Sequence, residues 1–341
     1  MKVLQIMAGA KYGGAEEFFT RLTVALHKTD IEQQVVIRKN DARAKRLINS
    51  GVEPTQMKFG GKLDFRTTWE LKRRINDFKP DIVFSWMNRA TSMCPTKKNF
   101  IHIGRLGGYY NLKYYSNCDH LIANTEDIAD YIKNNGWEEN KVHCLPNFVG
   151  ATQAKPIDRK QFFTPQSATL ILGMGRFHKN KGFDVLLDAV SRVPNTYLWL
   201  VGEGPLRGEL EAQAERIGIK PRTRFLGWWD DPEELFAAAD LFVCPSRHEP
   251  LGNVVIEAWA QGVPVIAADS IGPGMLIDQG INGVLFPVDD ERALANSINR
   301  LIREPILAEE IVVQARHDYA DNYTEGIVID KYLKFFERVV D

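Results

Sequence analysis

The chain has 341 residues, of which 44% are hydrophobic and 26% charged, and its formal net charge is −1. This length predicts two domains of roughly 150 to 180 residues each, and the composition is that of a soluble globular protein. No apolar run approaches the roughly 20 residues of a membrane helix, and Met1–Ile6 is typical of a first strand, not of a signal peptide. Four scattered cysteines and seven histidines, without C-x-x-C or H-x-x-H spacing, disfavour disulfides and zinc sites and favour a cytoplasmic protein.

Charge is distributed unevenly along the chain. Residues 1–160 contain 26 Lys+Arg and 17 Asp+Glu, whereas residues 161–341 contain 17 and 27. Basic clusters at residues 43–46, 72–74 and 97–98 contribute, although each alone could be a solvated helix face. Nucleic acid is disfavoured as the partner because no recognition motif accompanies these clusters. The asymmetry instead favours an anionic glycolipid, or peripheral contact with the inner face of a membrane.

In the first half of the chain, short apolar strands alternate with helices. Strands are predicted at residues 3–7, 34–38, 80–85, 100–103 and 121–124, and helices at 15–27, 41–50, 67–78 and 126–134. This alternation predicts a doubly wound α/β domain, in which ligands bind outside the carboxyl ends of the strands. Gly13 and Gly14, residues 85–89 and residues 105–110 are expected at that edge.

Residues 147–168 read as a connection between domains, because this stretch has no apolar period, contains Pro156 and Pro165, and directly follows Pro146. A second alternating series follows. Strands are predicted at residues 169–175, 196–202, 223–226, 241–244, 263–268 and 283–286, helices at 182–191, 206–217, 232–238, 253–261 and 290–303, and a terminal amphipathic helix at 323–341. We therefore expect a second doubly wound domain.

The most informative stretch, residues 246–267, contains a loop between a buried strand and a helix. Unpaired N–H groups and the positive dipole end at the start of that helix favour phosphate. Glu249 in the loop and Glu257 one turn into the helix are carboxylates that accept hydrogen bonds from sugar or ribose hydroxyls. Either residue alone would more readily be a helix cap or a solvated charge. Together they predict a pocket for a nucleotide sugar.

A second loop carries cations. Arg176 and Lys181 lie in a glycine-bounded loop after the strand at 169–175, where they can converge on a diphosphate. A solvated turn is the alternative reading of this loop. The G-x-G at residues 202–204 is weak, and Pro205 is better read as the first residue of the next helix. No strand is followed by G-x-G-x-x-G, which disfavours a nicotinamide-dependent oxidoreductase.

Taken together, these segments resemble the retaining glycosyltransferases of family 4, whose GT-B architecture has two facing Rossmann-like domains. The matching pieces follow the family order over nearly the whole chain, and the E-x7-E segment with its G-x-P-V sequel is the most specific of them. They are residues 13–16, 175–182, 201–205, 225–227, 239–246, 249–257 and 262–265.

The resemblance implies a role for each matching residue. Arg176 and Lys181 would neutralise the donor diphosphate and the departing nucleotide, and Glu249 would hold the transferred sugar. The family acts without a D-x-D metal site, and none occurs here, so the resemblance implies a metal-independent enzyme without cofactor. Trp228 would form a wall of the base pocket, and Glu257 would hold the ribose. Further donor contacts are implied at Gly13, Gly14, Leu251, Gly252 and Asn253.

One segment departs from the family. Many relatives have a histidine after the fifth strand of the first domain, whereas residues 103–110 here contain none. Arg105 is the candidate to replace it, and His102, a shifted match, is better explained as a buried histidine with satisfied hydrogen bonds. The resemblance also implies that the terminal helix, 324–341, crosses back to the N-terminal acceptor-binding domain (1–155), and that residues 156–323 bind the donor.

The resemblance thus implies a retaining hexosyltransferase that uses a UDP- or GDP-linked sugar. The charge asymmetry favours an anionic acceptor such as a lipopolysaccharide core or another glycolipid. A soluble small-molecule acceptor and a nucleotide-binding protein without activity are the alternatives. The second alternative is disfavoured because a scaffold has no need of Arg176, Lys181, Glu249 and Glu257 together.

Overall fold

The computed structural model describes residues 1–11, 13–61, 64–96, 99–150, 153–229 and 232–340. Within it the chain divides into two compact units, which we call unit 1 (Met1–Phe148 with Glu325–Asp341) and unit 2 (Val149–Thr324). The sequence placed the change of domain at residues 155/156, and the structure places it at 148/149. Of the predicted basic clusters, Lys97 and Lys98 lie outside the described residues.

Unit 1 is built on a seven-stranded parallel sheet with the order β3-β2-β1-β4-β5-β6-β7. Its strands are β1 (Lys2–Met7), β2 (Glu32–Arg38), β3 (Pro54–Met57), β4 (Ile82–Trp86), β5 (Ile101–Leu106), β6 (His120–Ala123) and β7 (Val142–Cys144). The connecting helices are α1 (Gly14–His27), α2 (Asp41–Asn49), α3 (Phe65–Phe78), α4 (Met87–Met93) and α5 (Glu126–Asn134). The strand order reverses between β1 and β4.

Unit 2 repeats the arrangement with six parallel strands in the order β10-β9-β8-β11-β12-β13. They are β8 (Thr169–Met174), β9 (Thr196–Val201), β10 (Thr223–Gly227), β11 (Leu241–Cys244), β12 (Val265–Ala268) and β13 (Val284–Phe286). The helices are α6 (Phe183–Ser191), α7 (Arg207–Arg216), α8 (Glu233–Ala238), α9 (Asn253–Gln261), α10 (Ile271–Leu276), α11 (Glu291–Arg303) and α12 (Pro305–Asn322). Here the strand order reverses between β8 and β11.

Local sequence explains where these elements form. The central strands are continuous apolar runs, as in β11, where all four residues are buried, because parallel sheets are covered by helices on both faces. Side-chain caps fix the starts of several helices: Asn40 accepts a hydrogen bond from the N–H of Arg43 at α2, and Thr125 from that of Ile128 at α5.

The last helix, α13 (Glu325–Val340), belongs to unit 1, as the resemblance implied. Its buried residues Tyr332, Phe335 and Phe336 join the core of that unit, and the rings of Phe336 and Phe84 lie 5.7 Å apart, edge to face. Burying each such aromatic stabilises the fold by about 1.5–3 kcal/mol, which is enough to hold the helix there. Among the described residues, no helix combines the length and apolar character required to cross a membrane.

Candidate functional site

In unit 2, the loops that follow β8 and β11 meet at the point where the strand order reverses. Crevices of this kind are the usual ligand sites of doubly wound sheets. The loops bring Lys181 and Glu249 into an ion pair, with side chains 24% and 13% exposed. Burial on its own lowers the pKa of Lys181, but the Glu249 carboxylate outweighs it, so the pKa is raised above its ordinary value. The ammonium therefore stays charged.

Two glycines allow these loops to approach each other. Gly182 has a left-handed conformation (φ 63°), and a Cβ on it would overlap the backbone carbonyl of Pro245 at the end of β11. Gly252, with φ 91°, precedes the first turn of α9. Because left-handed backbone is strained for residues with a Cβ, both positions favour glycine. The contact between Lys181 and Glu249 thus depends on the local backbone as well as on charge.

Arg247 braces both loops. Its guanidinium donates to the two carboxylate oxygens of Asp184, at 2.6 and 2.9 Å, to Asp289 at 2.5 Å, and to the carbonyl of Lys179 at 2.7 Å. The Arg247 fork is a bidentate, charge-assisted contact of the strong kind. It holds the loop of Lys181 to the loop of Glu249. Nothing in the sequence marks Arg247 as a site residue beyond its place two residues before Glu249.

The other donor residues predicted in unit 2 lie at the same edge of the sheet. Arg176 is exposed just after β8, and Trp228 is 49% exposed just after β10. Asn253 opens α9, directly after Leu251 and Gly252, so the first N–H groups of that helix face this edge. Glu257, half-buried, lies one turn further on the same side of α9. Lys181 and Glu249 are in direct contact.

In unit 1, Gly13 and Gly14 are exposed at the end of the loop after β1. The loop rests on Glu16, which is 5% exposed and accepts a 2.6 Å hydrogen bond from the N–H of Ala10. A Cβ at Gly9 or Gly13 would overlap this carboxylate. The glycines therefore let the loop fold over a buried acid.

Arg43 supports the same loop from α2. It is 7% exposed, and its Nη2 donates to the carbonyl of Ala10 at 3.1 Å. Burial lowers the pKa of Arg43, while the charges of Glu16 and Glu17 oppose that effect. Neither Glu16 nor Arg43 was singled out from the sequence as a site residue, because their proximity depends on how α1 and α2 pack.

Arg105 does not reach a surface of unit 1. It is 2% exposed, its Nε donates to the Tyr332 hydroxyl at 2.9 Å, and its Nη2 donates to Asn147. The guanidinium carbon lies 4.5 Å and 4.7 Å from the ring centroids of Phe18 and Trp86. These contacts occupy the group within the core and tie β5 to α13. The prediction that Arg105 replaces the family histidine at the substrate conflicts with this burial.

His102 is equally inaccessible. It is 0% exposed, and its Nε2 lies 2.9 Å from the Ser85 hydroxyl. This is the buried, hydrogen-bonded histidine that the sequence favoured. Within the described residues, no group of three or more His, Cys, Asp and Glu side chains is arranged to hold a metal ion.

Known proteins are similar to this chain over its whole length. Residues 12–153 match the family described as Glycosyltransferase Family 4, and residues 168–304 match Glycosyl transferases group 1. The lipopolysaccharide core biosynthesis glycosyltransferase LpsD of Rhizobium meliloti (strain 1021) is 36% identical over 342 residues, covering 100% of this chain and 99% of that protein. LpsE of the same organism is 35% identical over 337 residues, covering 98% of each.

A solved structure has the same fold. HepE of Anabaena, in complex with UDP, has a TM-score of 0.88 to this chain at 20% sequence identity, with 99% of this chain and 100% of that one covered. At this identity the likeness concerns the fold.

Proposed function

This chain belongs to glycosyltransferase family 4 and has the GT-B fold, and on that premise we propose that it transfers a hexose from a nucleoside diphosphate sugar to an anionic glycolipid. LpsD and LpsE, which are similar to it over their full lengths, are named for lipopolysaccharide core biosynthesis. The proposed acceptor is therefore a lipopolysaccharide core, and the proposed outcome is retention of anomeric configuration.

The observation that carries this proposal is the contact between Lys181 and Glu249 at the switch point of unit 2. A partly buried ammonium beside a partly buried carboxylate suits a donor with an anionic leaving group on one side and sugar hydroxyls on the other. Lys181 would stabilise the charge that develops on the departing diphosphate, usually the largest single catalytic effect. Glu249 would accept hydrogen bonds from the transferred sugar and keep the ammonium charged.

The remaining predicted residues complete the donor site in this proposal. Arg176 would bind the diphosphate as a bidentate fork, and the N–H groups at the start of α9 would bind its oxygens. Glu257 would hold the ribose, and Trp228 would stack on the base. The role of Gly13 and Gly14 stays a prediction from the resemblance. Arg105 has no part in it, because its guanidinium is occupied in the core.

Two cations in place of a metal make the proposed enzyme independent of divalent ions. The complex of HepE with UDP favours a uridine nucleotide over the guanosine alternative in the same proposal. A soluble acceptor is the competing possibility. It predicts sugar transfer to soluble monosaccharides instead of lipopolysaccharide core oligosaccharides.

The test combines binding and transfer, with EDTA present throughout. UDP, GDP, ADP and NADH are compared for their effect on the melting temperature, since a ligand that binds the folded state raises it. We expect a rise with UDP or UDP-hexose that is lost in Glu257→Ala. Sugar transfer to lipopolysaccharide core oligosaccharides is then compared with transfer to soluble monosaccharides, and the product anomer is read by NMR. A rise with NADH alone, activity only with added metal, or an inverted product would contradict the proposal.

A further inference from the structure

Helix α3 of unit 1 presents two large aromatic side chains to solvent. Phe65 is 75% exposed and Trp69, one turn later, is 60% exposed. The opposite side of the helix is buried through Thr67, Leu71 and Ile75. The buried face of α3 therefore packs against the rest of unit 1, and the exposed aromatic pair is not part of that packing. Exposed aromatic pairs on a helix are a feature of interaction surfaces.

The outward face of α3 is also basic. Lys72, Arg73 and Asn76 continue the line of Phe65 and Trp69 at helical spacing, and all three are exposed. The guanidinium of Arg73 lies 5.8 Å from the ring centroid of Trp69. Over its whole length the helix has more cations than anions: Arg66, Lys72, Arg73 and Arg74 against Glu70 and Asp77.

The position of the aromatic pair relates it to the site. Helix α3 connects β3 to β4 in a parallel sheet, so it runs back against the strands and begins at their carboxyl edge. Phe65 therefore lies at the end of unit 1 at which the loop of Gly13 emerges. A surface that contacts this end would bring its own sugars to the edge where ligands bind.

We propose that the exposed face of α3, defined by Phe65, Trp69, Lys72 and Arg73, docks the protein on an anionic lipid surface. The aromatic rings would enter the headgroup region, and the cations would face lipid phosphates. Charge complementarity commits the proposal to anionic lipid: aromatic rings and cations on one helix face are the composition of helices that lie in such an interface. This inference deepens the proposed function, because it names the surface from which the glycolipid acceptor would be reached.

Unit 2 offers a matched control. On α12, Ile306 and Val313 are 71% and 63% exposed, similar to the aromatic pair. Their helix carries Glu309 and Glu310 between them, so an anionic membrane would not attract it. Both double variants, Phe65→Ser with Trp69→Ser and Ile306→Ser with Val313→Ser, replace exposed apolar groups and are expected to leave the melting temperature unchanged.

The experiment measures co-sedimentation of the full chain with vesicles of phosphatidylcholine, with and without phosphatidylglycerol. We expect binding to the anionic vesicles only, weakened by high salt. The Phe65/Trp69 double variant should lose about tenfold in affinity, given the apolar area that it removes. Lys72→Glu with Arg73→Glu should also lose binding, whereas the Ile306/Val313 variant should bind like the parent.

Absence of binding by the parent, or equal binding by the Phe65/Trp69 variant, would overturn the inference. Self-association that disappears in that variant, without vesicle binding, would replace the lipid surface by a second copy of the chain. No nucleotide sugar is present in the assay, so its outcome is independent of the proposed transfer. If sugar transfer is intact but the protein does not bind vesicles, the docking surface is disproved and the proposed function is not affected.

Discussion

Lys181 and Glu249, which lie 68 positions apart in the sequence, form an ion pair where the strand order of unit 2 reverses. The Ser246 hydroxyl is a further donor to the same carboxylate, at 3.4 Å. A diphosphate would offer the ammonium a second anion, and sugar hydroxyls would offer the carboxylate more donors. Both residues can therefore bind a donor without separating, which places a fixed positive charge beside the proposed leaving group.

Replacing Lys181 by alanine should collapse sugar transfer. Removing one preorganised donor from a charge-stabilising site costs about 10²- to 10³-fold in kcat, and we expect a loss of that size. The measurement is the initial rate of transfer at saturating UDP-sugar. Near-normal transfer by this variant would exclude the proposed role.

Lys179 provides the control for this substitution. It lies in the same loop and is exposed, and its backbone carbonyl, not its side chain, contacts Arg247. Lys179→Ala should therefore keep kcat within about threefold of the parent, because an exposed lysine contributes little to a charge-stabilising site. Equal losses in the two variants would indicate a general effect of loop charge.

Glu16→Ala should weaken the glycine loop after β1. The change removes the acceptor for the N–H of Ala10 and the carboxylate against which Gly9 and Gly13 pack. We expect a loss of about 1–3 kcal/mol in the free energy of unfolding, and a donor dissociation constant raised about tenfold if the loop binds the diphosphate. Urea unfolding and calorimetric titration with UDP measure the two effects.

Glu17→Ala is the matched variant. The carboxylate of Glu17 lies 2.7 Å from the guanidinium of Arg46, and the Glu17 side chain is 32% exposed. Loss of this partly exposed ion pair should lower the free energy of unfolding by less than about 1 kcal/mol. It should leave UDP binding unchanged. If both variants bind UDP like the parent, the loop of Gly13 does not take part in donor binding.

Much of the fold could be predicted because its elements are bounded by strong local signals. Helix α9 was predicted at residues 253–261 and forms there, since left-handed glycines, Gly252 and Gly262, stand at its two ends. Helix α12 was missed. Its exposed apolar residues, Ile306 and Val313, obscure the period of the buried ones, so the sequence shows no single apolar stripe. Strands β3 and β7, of four and three residues, are too short to show alternation.

The site, too, contains residues that local sequence signals predict and residues whose proximity depends on the folded sheet. Lys181 and Glu249 could be proposed because each lies in a loop whose glycines and neighbouring strand mark a ligand edge. Arg247 could not, since its partners Asp184 and Asp289 come from elements whose proximity follows only from the folded sheet. Arg105 was predicted at the site because it lies at the end of a strand. Its burial follows from packing against α13, which the sequence does not show.

Arg105→Met should destabilise the protein without disabling it. The change leaves the Tyr332 hydroxyl and the Asn147 side chain without their buried donor, and we expect a loss of about 2–4 kcal/mol in the free energy of unfolding. The kcat per folded molecule should stay within about threefold. Tyr332→Phe, which removes only the hydroxyl, should cost about 1–2 kcal/mol. A 100-fold loss of kcat in Arg105→Met with intact stability would show that Arg105 acts on substrate.

The last prediction concerns pH. The Nε2 of His143 on β7 lies 3.1 Å from Nδ1 of His120, and its Nδ1 lies 3.2 Å from Arg338 of α13. Burial, followed by the charges of His120 and Arg338, lowers the pKa of His143 to about 4. Since an unfolded histidine titrates near 6.5, the unfolded state takes up a proton between these values that the folded state does not. This contribution to stability is complete above about pH 6.5 and is lost as the pH falls towards 4.

His143→Gln should therefore reduce the loss of stability between pH 7 and pH 5. Because His143 is partly exposed, solvent screening limits the difference to about 1 kcal/mol, less than the full shift would give. The measurement is the free energy of unfolding in urea at the two pH values. If His143→Gln keeps the parent's pH dependence, His143 is not held neutral at the junction of β7 and α13.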